Sequence, residues 1–123
     1  MRHLTIGLML ALTLIVSPAC QHAPPNLSPA GTTAWQNIQA TKTLDLVRDL
    51  AVDASHTGLI TRAEALKVVN WHTAVIKVLD ARGPDTKRLL TVSLDALEQN
   101  LEPKTQIVIR PYLALVRTVF AAF

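Results

Sequence analysis

Cysteine is nearly absent from this chain: its one thiol is Cys20, and none follows among the remaining residues up to 123. No intrachain disulfide can therefore form, and the body has no thiolate metal site and no cysteine nucleophile. Aromatic side chains are also scarce, with two Trp, one Tyr and two Phe, which leaves little stacking surface for bases or sugars. Charge of one sign never accumulates. Of 12 Lys and Arg, one is Arg2, so 11 remain against 9 Asp and Glu. They interleave from Lys42 to Arg117 with no run of four like charges, the pattern of a mixed solvated surface rather than a phosphate-tracking stripe. Nucleic acid is not an expected partner. Gly-rich phosphate loops, a serine in a nucleophile elbow and a His pair at i, i+4 are all missing, so an enzyme is not expected either. His22 falls near the start, His56 in a loop, and His72 beside Trp71 fits a core boundary.

What is present begins with an export pattern. Met1-Arg2-His3 is a basic start, and Leu4 to Val16 is a run of thirteen uncharged residues. Ser17-Pro18-Ala19 then supplies small residues before Cys20. The run is shorter than the roughly 20 residues of a membrane span, so 1–19 reads as a signal peptide. Cys20 then has two readings. It is the lipidated first residue of the mature chain, or an ordinary peptidase cuts after Ala19 and leaves a free thiol. Acylation disposes of an exposed thiol in an exported protein, and each buried acyl methylene contributes about 0.8 kcal/mol to anchoring. Residues 20–33, with Pro24, Pro25, Asn26, Ser28, Pro29 and Gly31, read as the lipid attachment point and a flexible tether.

The remainder, 34–123, reads as one helical domain. Thr33 and Gln36 have capping-box spacing. The apolar residues Ala40, Leu44, Val47, Ala51 and Ala54 then recur at helical spacing, with Ile38 and Leu50 widening the face. Thr61 and Glu64 form a second capping box, ahead of a stripe at Ala65, Val69, His72, Ile76 and Leu79, flanked by Leu66, Val68 and Val75, that ends at Gly83-Pro84. Asp85 or Thr86 can cap a third helix with its stripe at Leu90, Leu94, Leu97 and Leu101. The fourth stripe is Val108, Tyr112, Leu115, Val119 and Ala122, in which Pro111 predicts a kink or break. The expected fold is all-α: an antiparallel bundle of about four helices after a signal peptide and a Pro-rich tether. Trp35 and Trp71 fit core packing or interface anchoring.

The segment from Asp53 to Glu64 resembles the EF-hand calcium loop. By that resemblance Asp53, Ser55, Thr57, the Leu59 carbonyl and Glu64 would be ligands, with Gly58 at the sharp turn. Only two carboxylates contribute, so the site it implies is a weak one. A turn followed by a capping box accounts for Gly58, Thr61 and Glu64 without an ion. Apart from this calcium reading, no cofactor is expected.

The aliphatic leader ending at Ala19-Cys20 resembles a bacterial lipoprotein signal. Together with the proline-rich stretch from Ala23 to Pro29 and the helical body, it makes the chain similar to small exported lipoproteins of bacterial and phage genomes. That resemblance implies a location and no activity: export, with lipid anchoring at the cell envelope, at the outer membrane if the host has two. The expectation is a membrane-anchored, non-enzymatic helical interaction module whose partner is an envelope or phage protein. A phage-encoded superinfection exclusion or immunity protein is its most specific form. The alternative is the weak calcium-binding module of residues 53–64.

Overall fold

The computed structural model describes residues 24–123, and the leader and Cys20 lie outside them. Four helices account for the described fold: α1 (Pro29–His56), α2 (Arg62–Asp80), α3 (Thr86–Asn100) and α4 (Pro103–Ala121). No strand occurs among the described residues.

Helix α1 begins four residues before the expected Thr33, inside the segment assigned to the tether. The Ser28 hydroxyl accepts a hydrogen bond from the Gly31 N–H at 3.1 Å, and Pro29 occupies the first turn. A proline there loses nothing, because its missing N–H would have had no helical partner. The composition that marks a loose linker is thus also that of a helix start. At the other end of α1, Gly58 takes the left-handed φ of +78°. Its N–H donates to the Ser55 carbonyl and the Leu59 N–H to the Ala54 carbonyl, the paired bonds of a Schellman close. Thr61 caps α2 through the Glu64 N–H at 3.2 Å, as its spacing predicts. Asp85 precedes α3 without a side-chain cap bond. Thr86 instead reaches back to accept from the Gly83 N–H at 2.8 Å.

The helices pack as a ring: α1 on α2, α2 on α3, α3 on α4, and α4 back on α1. Side-chain bonds show the alternating direction. Gln36 near the start of α1 donates to the Ala122 carbonyl just past the end of α4. Lys67 near the start of α2 donates to the Asn100 carbonyl at the end of α3. Lys87 at the start of α3 donates to the Ala121 carbonyl. This is the antiparallel bundle the periodicity implies.

The core is aliphatic. Ala40, Leu44, Val47, Ala51 and Ala54 of α1 and Leu90, Leu94, Leu97 and Leu101 in and after α3 are all buried, as their spacing predicts. Two faces are rotated in part from expectation. In α2, Ala65, His72 and Leu79 of the stripe are buried with Val68 and Val75 of its flank and Trp71, while Val69 and Ile76 are half-buried and Leu66 is exposed. In α4 the inward line is Thr105, Ile109, Tyr112, Leu113, Val116 and Phe120. Val108, Leu115 and Val119 sit at its edge, and Ala122 is exposed. Both segments are apolar through a wide arc, so periodicity alone does not select the centre of the face. Burial raises the pKa of the Tyr112 phenol.

Pro111 does not end α4, which runs unbroken through it. The ring is on the exposed side. The carbonyl deprived of a donor belongs to Ile107, which is 74% exposed, so water can replace the missing bond.

Replacing Leu94 by Ala should lower stability by about 2–5 kcal/mol, the cost of a large-to-small core change. Ile107→Ala on the outer face should stay within about 0.5 kcal/mol of wild type. Urea unfolding followed by circular dichroism checks both.

Candidate functional site

Glu64 is the most deeply buried charged side chain, 1% exposed. The spacing that suggests a capping box also suggests that its carboxylate turns back to the N–H of its own cap. It crosses the bundle instead. Oε1 accepts from the Glu102 N–H in the α3–α4 turn, Oε2 pairs with Lys67, and the Thr105 hydroxyl also bonds the carboxylate. Burial by itself raises the pKa of this group. The bonds from Lys67, Glu102 and Thr105 and the Lys67 charge outweigh it, and the pKa falls below its ordinary 4.5. Lys67 donates also to the Asn100 carbonyl at 2.8 Å. One carboxylate thus ties the start of α2 to the end of α3 and the start of α4.

This arrangement decides where the residues of the calcium reading stand. Asp53 and Ser55 lie in the last turn of α1, and their backbone carbonyls accept from Thr57 and Gly58. Thr57 directs its hydroxyl to the Ala54 carbonyl at 3.2 Å. Leu59 is exposed in the turn. Glu64 faces inward, its oxygens engaged as described. A calcium loop needs these oxygens to converge from non-helical backbone, and here helix α1 continues to His56. Among the described residues, no group of three or more His, Cys, Asp or Glu is placed to hold a metal ion.

Other polar ties join neighbouring helices. The His72 Nε2 lies 2.7 Å from Asp45 Oδ1, linking α2 to α1. Sequence reading places His72 at a core boundary; the carboxylate 27 positions away is supplied only by folding. Arg117 meets Asp95 at 2.7 Å and Glu98 at 3.1 Å between α4 and α3. The Asp95 hydrogen bond leads the upward shift of its pKa. Because these groups are partly exposed, the pairing is worth no more than about 1 kcal/mol. At the end of the bundle where α1 begins, Arg82 donates to Asn37 at 3.0 Å and Gln36 at 2.7 Å, with its guanidinium 4.4 Å from the Phe123 ring centroid. No motif announces Arg82; its role depends on residues more than 40 positions away.

A partner could enter at the surface between α2 and α3. An open groove of about 500 Å³ is lined by Lys67, Asn70, Trp71, Ser93, Ala96 and Asn100, with Leu97 at its base. It exists because small side chains, Ser93 and Ala96, stand opposite Trp71. Trp71 is 7% exposed, and its Nε1 has no hydrogen-bond partner among the described residues. A buried donor left so costs about 1–3 kcal/mol. Leu89 and Val92 continue as exposed apolar side chains on α3. Apolar floor, amide rim and one lysine suit a protein segment better than a small charged substrate.

Compared with models of protein families, with curated proteins and with solved structures, the chain matches none. No described helix is long and apolar enough to cross a membrane.

Glu64→Gln should cost about 1.5–3 kcal/mol at pH 7, the range for hydrogen bonds to a charged group. Because folding lowers the Glu64 pKa, its stabilisation is complete above the unfolded value near 4.5 and is lost as pH falls through the lower folded value. Urea titrations from pH 7 to pH 3 should therefore show wild type and variant converging at the acid end. Calcium should leave the thermal midpoint unchanged. A rise in wild type that is absent in Asp53→Ala would support the ion-binding reading of residues 53–64.

Proposed function

We propose that the protein is a non-enzymatic helical interaction module, held at the cell envelope by a lipid on Cys20. The observation that carries the interaction part is the α2–α3 groove, with Trp71 in its wall and Leu89 and Val92 exposed beside it. Tryptophan is enriched among the few residues that carry most of the energy of protein–protein binding. The anchoring part is supported by the leader and its small residues before Cys20. The position of α1 agrees with it: the chain enters the bundle at one end, so a membrane attachment there leaves the long helix faces free. The partner is an envelope or phage protein that presents an apolar segment to the groove.

Two measurements test the two parts. Mass spectrometry of the mature N-terminus should find acyl mass on Cys20 and none in Cys20→Ala; a free, unmodified Cys20 amine would refute anchoring. Ala96→Arg fills the groove from an exposed position, so it should keep the thermal midpoint within a few degrees. In cells challenged with phage, the wild type should lower adsorption or DNA delivery and Ala96→Arg should not. If neither protein changes infection, a phage-directed role is ruled out.

A further inference from the structure

The face formed by α1 and α4 carries little charge along its centre. Leu46 on α1 and Val108 and Leu115 on α4 are half-buried along the seam, and Pro111 and Thr118 are exposed beside them. At the tether-side end the seam opens into a small apolar crevice between Trp35, Gln39, Thr118, Val119 and Phe123. The α3–α4 face, by contrast, bears Asp95, Glu98, Arg110 and Arg117. Charge on the α1–α4 face is confined to its edges and is ordered along the bundle. Because the two helices are antiparallel, Asp53 near the end of α1 and Lys104 near the start of α4 share the end far from the tether. Neither forms an ion pair among the described residues. Lys42 lies nearer the tether on the same side of α1, and no acid on α4 stands level with it.

We infer that this face binds a second copy of the chain, related by a two-fold axis running parallel to the bundle. Such an axis lays α1 of one copy over α4 of its partner and keeps like ends together. Asp53 then faces the partner's Lys104 in two equivalent places, while the apolar seam closes on itself. An axis across the bundle would instead lay α1 on α1 with its ends reversed and bring Asp53 toward the Lys42 end of the partner's α1, so a charge exchange at Lys104 would then not rescue Asp53→Lys. The parallel axis also sends both tethers from the same end, so two anchored copies can reach one membrane; this part rests on the lipid anchor proposed above. At 1.5 Å per residue α4 is about 28 Å long, and two adjacent helices span about 20 Å. That gives roughly 560 Å² in projection, close to the accessible area each partner contributes to a small specific dimer.

Two full-length copies with different tags, co-expressed and solubilised in mild detergent, test the pairing by capture through one tag. Wild-type copies should co-purify. Thr118→Arg, at an exposed position facing the partner's Lys42, should reduce recovery at least tenfold. Asp53→Lys should reduce it several-fold, and Asp53→Lys with Lys104→Glu should restore it. Thermal unfolding of each variant verifies that the bundle is intact. Absence of wild-type co-capture, or recovery indifferent to Thr118→Arg and to the charge exchange, would overturn the inference. The Cys20 acyl mass is read separately. Pairing without acylation removes the anchor and leaves the dimer; acylation without pairing does the reverse.

Discussion

Alanines on the inward face of α1 set the geometry of this bundle. Ala40 on one side and Ala51 and Ala54 on the other flank Leu44 and Val47, all buried. Small side chains let α2 and α4 approach α1 closely from two sides, and the leucines of α3 fill the space opposite. With no disulfide possible in the body, this interdigitation supplies the cohesion. A fully buried leucine contributes about 1.5–3 kcal/mol, and the ring of four helices keeps that layer dry only if every helix presents its apolar arc to the same centre. The turned faces of α2 and α4 follow from this demand. Each rotates until it touches both neighbours, and its surplus apolar residues move to the rim.

Polar groups then secure the ends, where aliphatic packing thins out. Glu64 and Lys67 join three segments at one end. Gln36, Arg82 and Lys87 gather the starts of α1 and α3 and the ends of α2 and α4 at the other. Lys87 and Gln36 satisfy carbonyls at the end of α4 that have no helical donor, and Lys87 also offsets the negative end of the helix dipole. The burial of Glu64 is tolerated because its oxygens meet a lysine, a backbone N–H and a hydroxyl; a carboxylate without those partners could not remain charged there. The same engagement keeps it apart from the oxygens of residues 53–57 at the end of α1.

The surfaces left over have distinct characters for the same reason. Where small residues of α3 oppose Trp71, packing stops short and a groove remains. Where α1 and α4 meet, half-buried side chains form a nearly uncharged seam. The α3–α4 side is covered by Arg117 and its two acids. The first two of these surfaces suit protein contact.

Sequence by itself determined the class of this fold. Apolar spacing specified four helices, and it identified the inward residues of α1 and α3 because polar residues bound those stripes sharply; Ile38, expected to widen the α1 face, is instead exposed. Thr61 was legible as a cap and Gly58 as a turn, since both act through local backbone. The extra turn of α1 was not, because Ser28 and Pro29 serve a linker and a helix start equally well. Only tertiary structure decided which way α2 and α4 face, since their wide apolar arcs become asymmetric only against neighbours. It also decided the distant partners of Glu64, His72 and Arg82, namely Glu102, Asp45, Asn37 and Gln36, which lie 27 to 46 positions away. Spacing rules report contacts within a turn of helix, whereas these bonds arise from the closing of the ring. The groove beside Trp71 belongs to the same category, being a gap between two helices rather than a motif within one.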